Sequence, residues 1–206
     1  VRAGRFFVYG SHDAEKVPAG AIPLLVDAGQ AFGTGHHETT AGCLAMLDLI
    51  KREGVVARNP VDIGTGTGLL AFAAMHLWPN AKATASDIDP VCADVVRDNM
   101  ATNAIAEGDR PGELTMVIAD GMDDPLLALR GPYDLFIANI LAGPLVELAP
   151  SFAGSIAPGG NLLLAGLLET QEIRVRRAYR ALSFRLSRKL VNGDWSILWL
   201  RKSRVR

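Results

Sequence analysis

Hydrophobic positions change their period along the chain. Two short apolar runs come first, Arg5–Tyr9 and Ala21–Asp27, separated by polar, Pro and Gly residues. Runs of this length bounded by turn formers predict a small antiparallel ribbon. From Thr39 to Glu53, Leu44, Leu47 and Ile50 recur at helical spacing, with Thr39 or Thr40 placed to cap the first turn. From Pro60 the two periods alternate. Strand-like runs cover Val61–Gly64, Ala83–Asp87, Leu114–Ala119, Tyr133–Ile140 and Asn161–Leu167. Helical spacing follows each of them, over Leu69–Trp78, Val91–Asn103, a short segment ending at Arg130, Pro144–Ile156 and Glu169–Leu182. Such alternation predicts an α/β fold with a mostly parallel, Rossmann-like sheet and helices on both faces. It breaks at the end, where Phe184–Val191 and Trp195–Arg201 flank Asn192-Gly193-Asp194. Asn-Gly between two strand-like runs predicts a C-terminal antiparallel hairpin.

Composition narrows the class. The chain has 206 residues, 49% hydrophobic and 21% charged, which suits one globular domain with a full core. A net charge of -1 gives no global basic field, so direct nucleic-acid binding is not expected. The tail Arg201-Lys202-Ser203-Arg204-Val205-Arg206 is locally basic and reads as a solvated end. Cys43 and Cys92 have no paired spacing and read as reduced packing residues. With no membrane-length apolar run and no signal-peptide pattern, the expected location is cytoplasmic, without a membrane partner. The start at Val1 without a Met reads as part of a longer chain.

The densest chemical signal is Asp62-Ile63-Gly64-Thr65-Gly66-Thr67-Gly68, after a strand and opening a helix. Glycines there let the backbone turn tightly and approach a ligand, although a bare strand-to-helix turn uses them too. Asp87 follows Gly68 by 19 positions and ends the next strand, in Ser86-Asp87-Ile88-Asp89-Pro90. A carboxylate there can accept hydrogen bonds from ribose hydroxyls, and Asp89 is placed to cap the helix after Pro90. A dinucleotide loop prefers G-x-G-x-x-G, with a helix N-terminus at the pyrophosphate. Here the spacing is G-x-G-x-G, with Asp62 two positions ahead of its first glycine. An acid beside the loop suits the ammonium group of S-adenosylmethionine and suits a pyrophosphate badly. Asp120, at the end of the third strand, is placed to accept from an adenine amino group; the alternative is a turn-initiating Asp.

Three segments together resemble the bacterial methyltransferases of large-subunit ribosomal protein L11. They are Ala31-Phe32-Gly33-Thr34-Gly35-His36-His37-Glu38-Thr39-Thr40, the glycine loop with Ser86–Pro90, and Ala138-Asn139-Ile140-Leu141-Ala142-Gly143-Pro144-Leu145. The glycine loop is common to many methyltransferases, whereas the first and third segments are more specific. The resemblance runs from about Gly4 onward. It implies a class I S-adenosylmethionine-dependent catalytic domain, residues 38–206, preceded by a ribbon and cofactor-contacting loop, residues 1–37. It also implies methylation of protein amino groups, on lysine side chains and the N-terminal amine. By motif, Phe32, Thr34 and Gly35 would contact the cofactor, and Asp62, Gly64, Gly66, Asp87 and Asp120 would hold it. Asn139, Ile140 and Leu141 would line the methyl-transfer site, with Asn139 also touching the cofactor. The family loop usually reads Gly-Thr-Gly-Thr-His-Pro-Thr-Thr, and here His36 and Glu38 depart from it. The family's N-terminal substrate-recognition domain has no counterpart in these residues.

Within this reading the acceptor amine must be neutral to attack. An apolar wall from Ile140 and Leu141 would lower its pKa, and the Asn139 amide oxygen would aim its lone pair. No dedicated base stands out. His36, His37 and Glu38 sit on one turn without a third well-placed ligand, so no metal is expected. Two other readings stay open: methyl transfer to another protein or a small molecule, and a non-catalytic cofactor-binding module.

Overall fold

A computed structural model describes residues 1–26 and 36–204, apart from the side chains of Ala14, His36 and His37. Three short strands lead the chain: β1 (Arg2–Ala3), β2 (Phe6–Tyr9) and β3 (Ile22–Leu25). Strands β1 and β2 pair antiparallel, but β2 and β3 pair in parallel, Phe6 opposite Ile22. The expected antiparallel ribbon is therefore corrected. The segment between the two apolar runs contains a 3-10 helix, Ser11–Lys16, and is long enough to return the chain for parallel pairing. Helix α1 (His36–Arg52) starts ahead of Thr39 and Thr40, so neither caps it; Thr39 is buried within the helix.

The alternation from Pro60 folds as strand and helix in turn. It runs β4 (Pro60–Ile63), α2 (Leu69–Leu77), β5 (Ala83–Asp87), α3 (Val91–Thr102), β6 (Ala106–Glu107), β7 (Glu113–Ile118) and α4 (Pro125–Arg130). It continues with β8 (Tyr133–Asn139), α5 (Ala142–Glu147), α6 (Ala149–Ser155), β9 (Ile156–Leu168), α7 (Glu172–Ala181), β10 (Phe184–Asn192) and β11 (Trp195–Lys202). The single helix expected over Pro144–Ile156 is two. Pro150 has no N–H to give the Val146 carbonyl and its ring crowds that carbonyl, so the helix breaks at Leu148 just ahead of it. Ile156 already belongs to β9. The two-residue β6 escaped the pattern because it is too short to show a period.

The eight strands run in the order β10-β11-β9-β8-β4-β5-β7-β6. From β9 to β6 every pair is parallel, and β11 lies antiparallel to both β9 and β10. Side chains alternate across the sheet, as a period of two requires. Leu135 and Ile137 of β8 join a core with α1, α2 and α3, while Phe136 and Ala138 join a second core with α4 to α7. Ile197 and Trp199 of β11 fall on the first side, Leu198 and Leu200 on the second. Ala3, Phe6, Leu24 and Val26 of the leading segment belong to the first core. Two large side chains in the core have their polar ends paired: the Trp199 indole N–H donates to Asn161 Oδ1 at 3.0 Å, and the Tyr179 hydroxyl to the Leu145 carbonyl at 2.8 Å.

Candidate active site

Strand order reverses around β4. The chain proceeds outward from β4 to β5 and β7, then returns to place β8 on the other side of β4. Loops leaving the carboxyl ends of β4 and β8 must diverge, and a crevice opens between them. It is a cavity of 420 Å³ lined by Gly64 after β4, Asp87 ending β5, Asp120 after β7, and Asn139, Ile140 and Leu141 at the end of β8. Six of the residues singled out from sequence thus meet in one place.

The glycine loop is held by β5. Gly64 N–H and Thr65 N–H both donate to the Ser86 carbonyl, at 2.8 and 3.0 Å, and Gly66 N–H donates to Asp87 Oδ2 at 2.8 Å. The other Asp87 oxygen accepts the Asp89 N–H at 3.1 Å. Each oxygen can accept a further hydrogen bond, and Asp87 lines the cavity. Asp89 Oδ1 accepts the Val91 N–H at 3.0 Å, which is the capping role expected of it. The Cys92 thiol, half-buried on α3, is pushed up to about 11 by burial and by Asp87 and Asp89.

Asp62 and Gly66 do not line the cavity. The Asp62 carboxyl lies beneath the loop, 1% exposed, and its Oδ2 accepts the Thr65 hydroxyl at 2.7 Å and the Ala71 N–H at 3.2 Å. It ties the loop to the start of α2. Its Oδ1 is buried without a protein partner. Burial raises its pKa to about 7; the Thr65 and Ala71 hydrogen bonds pull the other way, and the nearby Asp87 charge adds to the rise. The Asn139 Oδ1 is also buried and unpartnered, at the end of β8.

Two glycines let the loops close on Ile140. Gly64 has φ +70°, and a Cβ there would stand 2.3 Å from Ile140 Cγ2. Gly166, in β9, has φ +81°, and a Cβ there would lie 2.3 Å from the Ile140 carbonyl oxygen. Gly166 lines the cavity, as do Ile88, Pro144, Leu148 and Trp195, none of which sequence reasoning selected. An isolated Gly within the apolar run Leu162–Leu168 was a readable sign of close backbone approach. Trp195 carried no such sign, because only the pairing of β11 with β9 brings it there. Phe32, Thr34 and Gly35 lie outside the described residues. Among the described residues no cluster of three or more His, Cys, Asp or Glu could hold a metal ion, and no helix is long and apolar enough to cross a membrane.

A parallel sheet finished by two antiparallel strands, with a glycine loop and an acidic strand end at its switch point, is the class I methyltransferase fold. Within that class, the model of the family described as "Ribosomal protein L11 methyltransferase (PrmA)" matches residues 1–203, and the chain belongs to this family. A curated relative from Rhizobium meliloti named "Ribosomal protein L11 methyltransferase" is 45% identical over 200 residues, 97% of this chain and 66% of that protein. One of the same name from Sinorhizobium fredii is 46% identical over 202 residues, 98% of this chain and 67% of that protein. The chain therefore spans about two thirds of the length of these relatives. In fold it is similar to the crystal structure of a ribosomal protein L11 methylase from Lactobacillus delbrueckii subsp. bulgaricus. There the TM-score is 0.78 at 27% identity, covering 96% of this chain and 94% of that one.

Proposed function

We propose that this chain transfers methyl groups from S-adenosylmethionine to amino groups of ribosomal protein L11. The observation that carries the reading is the Asn139 amide oxygen, buried and without a protein partner at the end of β8 beside the cavity. A buried acceptor left unpaired is costly, so a site of this kind is built for a donor that arrives. The names of the relatives indicate the substrate's class, a ribosomal protein, and the family resemblance implies that its amino groups are the donors.

The cavity residues fit S-adenosylmethionine. Asp87 would accept its ribose hydroxyls and Asp120 its adenine amino group, with Gly64 and Gly66 keeping the loop backbone close. Phe32, Thr34 and Gly35 keep their expected cofactor contacts in this proposal. Asp62, with Oδ1 unpartnered under the loop, offers an acceptor to the ammonium end, directly or through water, and none of the donors a pyrophosphate needs. When bound, the cofactor supplies an electrophilic methyl group on a sulfonium. The chain's own residues prepare the acceptor. Asn139 would accept one N–H of the amine and aim the lone pair, with no charge that would favour the ammonium form. Ile140 and Leu141 would wall the amine off from water and so lower its pKa. Ile88 and Leu141, exposed by 63% and 64%, flank the cavity with apolar surface. Such a mouth suits a protein segment laid across it better than a small acceptor enclosed within it.

The test is incubation of the chain with isolated L11 and methyl-labelled S-adenosylmethionine, followed by mass spectrometry of the L11 peptides. Label on lysine or the N-terminal amine is expected. Cofactor binding without label in L11 would overturn the substrate assignment.

A further inference from the structure

The net charge of -1 conceals a separation of charge. Residues 172–206 hold eleven Lys and Arg against two Asp and Glu, a balance of +9, and residues 1–171 hold ten against twenty, a balance of -10. Four of these basic residues meet at a second cavity, of 510 Å³, between α7 and the sheet's edge strand β10. Its rim is Arg176, Arg177 and Arg180 of α7 with Arg185 of β10, all exposed. On a helix, positions 176, 177 and 180 share one face. That face is opposite to Val175 and Tyr179, which are buried in the core. The floor is apolar, with Phe184 buried and Leu186 half-buried. Arg176 pairs with Glu172 at 2.9 Å, but Arg177, Arg180 and Arg185 form no ion pair among the described residues. Charges that only protect an edge strand need to sit on that strand. Here three of the four are on the helix beside it.

We infer that the α7–β10 groove binds the phosphate backbone of RNA, apart from the methyl-transfer cavity. Every charged side chain on the rim is arginine, which grips phosphate through two N–H groups and stacks its plane on bases, and the exposed Ile173 beside them adds apolar surface a base can cover. Exposed Arg174 adds a further positive charge on α7, and a row of cations of this kind suits a long polyanion with a charge at every residue. An acidic peptide offers fewer, scattered charges, and a membrane would require more exposed apolar surface than this rim presents. The groove lies toward the Leu200 end of β11, whereas the methyl-transfer cavity takes Trp195 from its start. At the rise of an extended strand the two are about 17 Å apart.

Fluorescence anisotropy with a labelled single-stranded RNA tests this, titrated at several salt concentrations. Four phosphate contacts predict that log K falls with log salt at a slope of about -3. Replacing Arg177→Gln, Arg180→Gln and Arg185→Gln together should flatten the slope by about 2 and weaken binding at least ~10-fold near physiological salt. The corresponding triple Lys variant should keep the slope. Thermal melts and S-adenosylmethionine binding of the Gln variant should match the parent. RNA affinity unchanged in the Gln variant overturns the inference. So does equal affinity for polyglutamate or for phosphatidylserine vesicles, lost in the same variant.

Discussion

Asn139 and Asp62 each bury an oxygen that no protein group satisfies, yet the two have different consequences. Asn139 is neutral, and its role concerns the acceptor. Asn139→Ala should lower the single-turnover rate roughly 10²-fold, the scale of a misplaced reactant, with a smaller effect on cofactor affinity. Asn139→Asp should be poorer still near neutral pH and recover as pH rises, because a carboxylate holds the amine as ammonium. Rates for both variants beside their melting temperatures decide the matter: normal turnover in Asn139→Ala, or activity that falls only in step with stability, removes the positioning role. Asp62 is ionisable, and its role is read in stability. Its pKa rises from 3.8 unfolded to about 7 folded, chiefly through burial. The folded state therefore holds a proton that the unfolded state has released, so this contribution is full below pH ~4 and is lost as pH rises to ~7. The loss is up to about 1.4 kcal/mol per pH unit across that window. Denaturant unfolding from pH 4 to 8 should show a decline that Asp62→Asn lacks, and parallel curves would place the Asp62 titration elsewhere. The residue type and position of Asp62 were legible in the glycine motif; its burial was not. Only the register of β4 between β5 and β8 puts the carboxyl beneath the loop, out of the cavity.

At the scale of elements, the strands and helices from Pro60 onward, the two-residue β6 apart, were legible because each is long enough to show its period. The failures had local causes. The leading runs read as antiparallel because the sequence shows two strands but not the Arg2–Ala3 strand that takes the antiparallel place beside Phe6–Tyr9. Pro150 within an apolar run needed more weight as a breaker. What no pattern exposes is the contact between elements, and Ile140 illustrates it. The loop after β8 fits only because Gly64 in the loop after β4 and Gly166 in β9 both lack a side chain. Gly64→Ala meets the Cγ2 branch methyl of Ile140, which a change of side-chain rotamer can move, whereas Gly166→Ala meets the Ile140 backbone carbonyl, which cannot move so. Both carry the ~1–2 kcal/mol of a left-handed alanine. Gly166→Ala should therefore be the more destabilising. Ile140→Ala should partly rescue Gly64→Ala, whose Cβ would then face only the Ile140 Cβ position at 3.8 Å, and should leave Gly166→Ala unrescued. Chemical denaturation of the two double mutants checks this, and equal rescue of both would show that backbone approach is not the constraint.

The whole molecule joins a ligand cavity to both halves of its sheet. Residues from β5 and the loops after β4 and β7 line one side, while β8, β9 and Trp195 of the terminal hairpin line the other. No half of this sheet can open and keep the cavity intact, so a ligand there stabilises the whole fold rather than one loop. The thermodynamic consequence is fixed by mass action. At 100 times its dissociation constant, a ligand that binds only the folded state adds about 2.7 kcal/mol. For a chain of this size that raises the melting temperature by roughly 5–11 °C. S-adenosylmethionine should produce such a shift in one cooperative step, the hairpin melting together with the parallel strands. NAD at the same concentration should produce none, because the loop has G-x-G-x-G rather than the dinucleotide spacing, and the carboxyl beneath it offers a pyrophosphate no donor. Trp195→Ala should reduce the shift while leaving the cofactor-free melting temperature little changed, since the Trp195 side chain is only half-buried. The expectation fails if NAD stabilises as strongly, or if the hairpin melts early and independently of S-adenosylmethionine when followed by hydrogen exchange.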